Sequence, residues 1–527
     1  MAASIGAGPA LCASAGIPFA TIVEMQRAKP AAPKRVATCR IGWVAIVASL
    51  LAAGCGAPRD APQRTLALAD CRLPKLALAA QCGELTVPEN RGAPGGRTIK
   101  LTVAVLPANT LHPRPDPLFI LAGGPGQAAT SLGPFAAQLT DVRKDRDVVL
   151  VDQRGTGRSS PLDCPAFAAD DALATALDLD PVPKAKACLA ELAARGADPT
   201  QYTTAAFVAD LDEMRRALGY GAINLWGGSY GTRAALEYLR RYPKQVRAAV
   251  LDSVAPPSMR ILLDVWPSRD AALDAVFSAC TASPACVKAH PDLAADFAKL
   301  REQLGRDGRD VTFVDPRTGE TQTARITYDY VLAALQPILY LPELQSLAPE
   351  AIGRAVAGDF APLQALATFV TADFARQTTT ALHYAVTCSE DAPRIAPDEV
   401  ARMPESLRTK SLAEHVLAVC AVWPSAAVPS DATTPVTSDI PVLLLSGGLD
   451  PVTPPGNAAA AAATLPHSKQ LVAVGYGHIV SSHACGPRLI AAFLDDPSFA
   501  TLPPTCVAHF EASARPPLWP DRLGAQP

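Results

Sequence analysis

A serine stands between glycines in "GGSYG", Gly227 to Gly231, where the apolar run "AINLW" gives way to the helical pattern "YGTRAALEYLRRY". Glycine two positions either side of a serine lets a strand turn so sharply into a helix that the hydroxyl stands clear of the sheet, as a nucleophile requires. A serine hydroxyl is a weak nucleophile, so it needs a base within hydrogen-bond reach, and that base needs a third group to orient it. Two later apolar runs end in suitable residues: Asp450 closes "VLLLSGGLD" and His478 closes "LVAVGYGH". His478 would take the proton of Ser229 and return it to the leaving group, while Asp450 would hold the imidazole tautomer and stabilise the imidazolium. Taken singly these are ordinary residues, since an Asp in "GLDPVTPP" forms turns and a His beside glycines sits in loops. In this order, at successive strand ends, they point to acyl transfer. His483 is the fallback base, five residues beyond the strand end.

Acyl transfer also needs donors for the developing oxyanion. The N–H of Tyr230, next to the nucleophile, is one. The other is expected from "LAGGPGQAA", which follows the apolar run "PLFIL". Pro125 has no N–H, so Gly124 is the first choice and Gly126 the second.

These residues must be carried by strands. "GELTVPEN" and "IKLTVAVLP" read as an antiparallel opening pair; "PLFILAGG", "DVVLVDQRG", "AINLWGGS", "AAVLDSV", "PVLLLSGGLD" and "QLVAVGYGH" read as buried strands. Helical patterns alternate with them. In "TTAAFVADLDEMRRALGY", Phe207, Leu211, Met214 and Leu218 recur at helical spacing, Thr203 or Thr204 can cap the start, and Gly219 ends the run. The alternation predicts an α/β fold, a mostly parallel sheet with helices on both faces. From about 258 to 437 strand signals are sparse and Ala/Leu-rich helical patterns dominate. That interval reads as a helical cap inserted between two core strands, over the ligand crevice at their carboxyl ends; a separate domain is the alternative. The expected organisation is a leader over 1–55, a core in two parts over 64–257 and 438–527, and the cap over 258–437, with a Pro-rich linker near 57–63.

The chain has 527 residues, with 47 Lys and Arg against 50 Asp and Glu, a net charge of −3. There is no basic stripe interleaved with aromatics, so nucleic acid is not an expected partner. Near the amino end, Arg27, Lys29, Lys34, Arg35 and Arg40 precede the apolar run Ile41 to Ala53, which ends at "LLAAGC". A basic region, a short apolar run and small residues before a cut describe an export signal, and the run is too short to span a bilayer. The segment resembles a bacterial lipoprotein signal with Cys55 as the lipidated residue, although Ala52 stands where leucine is usual; ordinary signal-peptidase cleavage is the alternative. Met25 is an alternative start. The expected location is therefore the bacterial periplasm or cell envelope, with membrane contact only through that lipid, or outside the cell as a secreted protein.

Cysteine usage agrees with export. Of 13 cysteines, Cys12 and Cys39 leave with the leader and Cys55 carries lipid. Ten remain, as the sequence-adjacent pairs Cys71 and Cys82, Cys164 and Cys188, Cys280 and Cys286, Cys388 and Cys420, and Cys485 and Cys506. An even count in an exported chain reads as disulfides, with connectivity open. No Cys-x-x-Cys spacing suggests a metal, and no motif calls for a nucleotide or flavin cofactor.

Together "GGPG", "VDQRGTGRSS", "GGSYGT" and the trailing Asp450 and His478 resemble the proline iminopeptidase and tripeptidyl aminopeptidase branch of the α/β-hydrolases, serine peptidase family S33, with a carboxyl-terminal part like that of tripeptidyl aminopeptidases. "DQRGTGRS" is the most discriminating stretch. Ala122 departs from the histidine that many relatives carry before the glycines. The resemblance implies an α/β-hydrolase fold and removal of residues from the free amino end of short peptides. An exopeptidase of that kind needs a carboxylate to hold the substrate ammonium, and "VTCSEDAP" offers Glu390 and Asp391, beside Cys388, which a disulfide to Cys420 could fix. Two other readings stand beside it: a carboxylic-ester hydrolase on the same three residues, and a noncatalytic binding protein that kept the fold.

Overall fold

Alternation with period two sends neighbouring side chains of a strand to opposite faces, and in the computed structural model of this chain both faces of the central strands are covered. The structure describes residues 64–167, 180–305, 307–314, 319–404 and 408–518, except the side chains of 370–375; the expected leader and Cys55 lie outside them.

The strands are β1 (Ala69–Cys71), β2 (Ala80–Pro88), β3 (Thr98–Leu106), β4 (Leu118–Leu121), β5 (Val148–Val151), β6 (Ile223–Gly228), β7 (Val246–Asp252), β8 (Arg309–Val314), β9 (Thr321–Ile326), β10 (Val442–Gly447) and β11 (Ser468–Ala473). Nine of them form one sheet in the order β1-β2-β3-β5-β4-β6-β7-β10-β11. The first three run antiparallel to their neighbours, and from β5 to β11 every pairing is parallel.

Phe119, Leu121, Leu225, Leu251 and Leu444 share one apolar layer with Phe207 and Leu211 of α1 (Thr204–Ala217) and Leu236 of α2 (Tyr230–Arg241). Leu118, Ile120, Trp226, Val250 and Leu443 share the opposite layer with Leu489, Phe493 and Phe510. Each such side chain contributes about 1.5–3 kcal/mol on burial, which fixes strand register, because a slip by one residue would exchange the two layers. At the start of α1 the Thr203 side chain accepts from Ala206 N–H at 3.2 Å, and Gly219 beyond its end takes φ 74°, a conformation that favours glycine.

Between β7 and β10 the chain forms helices including α3 (Ile261–Ala282), α4 (Tyr328–Ile338), α5 (Thr380–Glu390) and α6 (Lys410–Cys420). α5 packs in one apolar cluster with Tyr202, Tyr230 and Trp423, while α3, α4 and the start of α6 contribute to another that includes Trp266, Phe277, Phe297, Leu335, Ile352 and Leu363. Strands β8 and β9 in this interval were not expected. They pair antiparallel as a separate hairpin, and it settles one face on the cluster through Val311 and Phe313 while Val314 stays exposed.

All ten cysteines among the described residues pair with their sequence neighbour: Cys71–Cys82, Cys164–Cys188, Cys280–Cys286, Cys388–Cys420 and Cys485–Cys506. Cys388–Cys420 ties the end of α5 to the end of α6. Among the described residues no helix is long and apolar enough to cross a membrane.

Candidate active site

The turn from β6 into α2 is tight enough to need glycine on both sides of Ser229. A Cβ on Gly227 would lie 2.4 Å from the carbonyl oxygen of Gly231, and one on Gly231 would lie 2.1 Å from that of Leu121. Ser229 itself takes φ 55° and ψ −124°, a region that L-residues occupy only where the surroundings impose it. Those surroundings are visible: Ser229 N–H donates to the Asp252 carbonyl at 2.9 Å, and the Ser229 carbonyl accepts from Thr232 N–H at 2.9 Å and Thr232 Oγ1 at 2.6 Å.

Asp450 and His478 follow the ends of β10 and β11, two neighbouring parallel strands, and so reach the same edge of the sheet. Nδ1 of His478 lies 2.9 Å from Oδ2 and 3.0 Å from Oδ1 of Asp450. A carboxylate in that position keeps the proton on Nδ1 and leaves Nε2 as the basic nitrogen. Asp450 is buried. Its Oδ1 also accepts Val452 N–H at 2.8 Å and Thr453 N–H at 2.9 Å, and its Oδ2 accepts Thr453 Oγ1 at 2.8 Å. Burial pushes its carboxyl upward, but the imidazole and these hydrogen bonds outweigh burial and hold it below the ordinary carboxylate range.

Two residues that the motif did not reveal complete this arrangement. Thr453 Oγ1 stands 3.3 Å from His478 Nδ1; its signal was the turn "DPVT", in which an Asp accepts N–H groups two and three residues on. Tyr340, just beyond α4, accepts His478 N–H at its carbonyl at 3.0 Å. Its ring meets the imidazole edge-on, with centroids 5.0 Å apart. No local pattern marks Tyr340, because it meets His478 only through the tertiary fold. His483 is elsewhere: its ring lies against Tyr476, centroids 4.7 Å apart.

The loop after β4 reaches Ser229 from the other side. A Cβ on Gly123 would sit 3.1 Å from Ser229 Cβ, and Gly124 and Gly126 take φ 106° and 113°. The outer side of this loop is paired with the segment leading into α5. Gly126 carbonyl accepts Thr379 N–H at 2.9 Å, Ala128 N–H donates to Gln377 carbonyl at 3.0 Å, and Gln127 bridges antiparallel to Thr378. On α5, burial pushes the His383 imidazole below the ordinary value. Ala122 packs against the apolar layer of the sheet, and Gln127 Oε1 accepts Gly123 N–H at 3.4 Å.

Gln153 and Arg154 of "DQRGTGRS" form a buried brace beside the Ser229 turn. Gln153 Nε2 donates to Tyr230 Oη at 3.2 Å, and Tyr230 Oη lies 2.7 Å from Thr204 Oγ1. Arg154 is buried and grips Asp210 of α1 with Nε at 2.6 Å and Nη2 at 2.7 Å.

Glu390 and Asp391, expected as substrate contacts, join that brace. Glu390 Oε1 accepts Thr204 N–H at 2.7 Å and Oε2 accepts Thr204 Oγ1 at 2.9 Å, with Arg233 Nη1 3.7 Å away. It caps α1, and burial pushes its carboxyl upward against the pull of Arg233. Asp391 is fully buried. Its Oδ1 accepts Arg233 Nη1 at 3.0 Å and Arg394 Nη2 at 2.8 Å, and its Oδ2 accepts Ile261 N–H at 3.0 Å. The alternative of a solvated acidic loop does not hold, because both carboxylates have partners inside the protein, and Glu390 also lines a small pocket with Thr204, Arg233 and Glu237.

Comparison with known proteins adds the following. A family model for the alpha/beta hydrolase fold matches residues 116–482. The tripeptidyl aminopeptidase of Streptomyces lividans is 34% identical over 210 residues, 36% of this chain and 37% of that protein. The serine protease Hip1 of Mycobacterium tuberculosis is 30% identical over 197 residues, 35% of this chain and 38% of that protein. The proline iminopeptidase of Xylella fastidiosa is 30% identical over 143 residues, 27% of this chain and 34% of that protein. These alignments reach little more than a third of each relative's length, and the relatives are named as peptidases. With the family model spanning most of its length, the chain belongs to the α/β-hydrolases.

Proposed function

We propose that this protein is an exported serine aminopeptidase that hydrolyses peptide bonds near the free amino end of short peptides through an acyl-enzyme. The observation that carries the reading is the shared sheet edge: Ser229 on its strained turn, and His478 held at Nδ1 by the buried Asp450. Nε2 of His478 takes the proton as Ser229 Oγ attacks the scissile carbonyl, then delivers it to the amine that leaves. Water repeats the sequence on the ester and frees Ser229. Tyr230 N–H and Gly124 N–H are the proposed oxyanion donors. Gly124 is preferred to Gly126 because the latter is turned to the Thr379 segment, where a Cβ would lie 2.7 Å from the Thr379 carbonyl oxygen.

The peptide preference is supported by the names of the similar proteins, tripeptidyl aminopeptidase and proline iminopeptidase. The interval 258–437 is proposed as the cap over this site, in a core made of 64–257 and 438–527. Five disulfides among the described residues are compatible with an extracytoplasmic location, and the leader over 1–55 with lipidation at Cys55 is the proposed route to it. No cofactor enters the scheme, and peptides are the proposed partners.

The test is hydrolysis of fluorogenic peptides of one to three residues, free-amino and acetylated, by the wild type and Ser229→Ala. Cleavage of the free-amino series alone, abolished in the variant, supports the proposal. Equal cleavage of acetylated peptides or simple esters supports the carboxylic-ester reading, which the same three residues would serve.

A further inference from the structure

Strand β7 ends at Asp252, between β6, which leads to Ser229, and β10, which leads to Asp450. Its backbone and its side chain serve two different loops. The Asp252 carbonyl accepts Ser229 N–H at 2.9 Å. Its fully buried carboxylate reaches the segment that follows His478: Oδ1 accepts Val480 N–H at 3.0 Å and Oδ2 accepts Ser481 N–H at 2.7 Å. The neighbouring residue completes the set, because Ser253 Oγ accepts Ile479 N–H at 2.8 Å. Three successive N–H groups after His478 are therefore collected by two adjacent residues. Backbone strain gathers at the same place, with φ of 55° at Ser229, 60° at Ser253 and 64° at Ile479. Such conformations in non-glycine residues persist where the surrounding bonds over-determine them.

We infer that Asp252, with Ser253 beside it, is a positioning residue that ties the turn of the nucleophile to the loop of the histidine, its backbone holding the first and its side chain the second, so that it helps set the placement of His478 relative to Ser229. The inference rests on the proposed roles of Ser229 and His478. Its physical basis is the double use of the carboxylate. Both oxygens receive an N–H, so an amide in either orientation would set its NH₂ group against one of those donors. The loop has a second attachment, Trp226 Nε1 donating to Ser481 Oγ at 2.9 Å; loss of one Asp252 bond therefore shifts the loop without releasing it. A displacement approaching 1 Å costs on the order of 100-fold in rate.

The experiment compares wild type, Ser229→Ala, Asp252→Asn and Ser253→Ala. Active sites are counted with a fluorophosphonate probe, and kcat per labelled site and KM are measured on whichever peptide or ester the wild type turns over. Asp252→Asn is expected to lower kcat per site and the rate of phosphonylation together, about 10- to 100-fold, with KM within about twofold. Ser253→Ala, which loses the Ile479 acceptor alone, is expected to lower kcat by roughly three- to tenfold, and it carries the test if Asp252→Asn does not fold. Wild-type kcat per site in Asp252→Asn, even in a less stable protein, overturns the inference, as does wild-type kcat in Ser253→Ala. Labelling and turnover that survive in Ser229→Ala overturn the underlying reading instead, and the inference with it.

Discussion

Replacing Thr453 by Val keeps the shape of the side chain and removes one hydroxyl. That hydroxyl donates to Asp450 Oδ2 at 2.8 Å and stands 3.3 Å from His478 Nδ1. A hydrogen bond to a charged group is worth about 1.5–3 kcal/mol, equivalent to roughly 10- to 150-fold if expressed wholly in the transition state. Asp450 keeps the Val452 and Thr453 N–H donors and the imidazole, so the lower end applies: kcat about 10-fold down with KM unchanged. Stability should change with a defined pH signature. The folded-state pKa of Asp450 is depressed, so its contribution is present above the unfolded carboxylate pKa and is lost as pH falls through the folded value. Thr453→Val should therefore be about 1–2 kcal/mol less stable at pH 7, and the gap should narrow in acid. The assay pairs steady-state kinetics with urea midpoints at neutral and acid pH. A kcat within twofold of wild type would refute the reasoning, because the hydroxyl would then have no part in orienting the pair.

Gly231→Ala should abolish activity per mole of folded protein, because its Cβ would fall 2.1 Å from the Leu121 carbonyl oxygen; wild-type turnover would show that the turn relaxes. Thr379→Pro removes the N–H that reaches Gly126 carbonyl, at a φ of −87° close to that of proline. A kcat lowered by about one hydrogen bond's worth, roughly 3- to 10-fold, is expected, and no change would mean that the Thr379 pairing does not steady the proposed oxyanion loop. Asp391→Asn should cost about 3–5 kcal/mol by leaving the buried Arg233 short of its partner, with KM for a free-amino peptide unchanged; a large rise in KM without loss of stability would make Asp391 a substrate contact. Replacing Cys388 and Cys420 by Ser opens a 32-residue span. It should cost about 3–4 kcal/mol, read as a fall in melting temperature, and an unaltered melting temperature would count against the bridge.

The sequence by itself determined the parallel strands, because "LFIL", "VVLV", "INLW" and "VLLL" are short β-branched or apolar runs closed by turn residues, a signal that needs no partner. The same holds for the sharp turn at Ser229, where glycine spacing reports a local steric need. Cysteine pairing with sequence neighbours was also open to a local reading, since each partner lies at most 32 residues away. The β8–β9 hairpin escaped because its strands bury one face only, and that face finds its cluster from helices far along the chain. Tertiary structure alone decided where charges end up. Glu390 and Asp391 look in sequence like an exposed acidic pair, and only packing against Thr204, Arg233 and Arg394 turns them inward. Tyr340 against His478 and Asp252 beneath the histidine loop are of the same kind. Carboxylates and aromatic rings do their work through contacts that close over tens to hundreds of residues, and no local periodicity records which partner will be there.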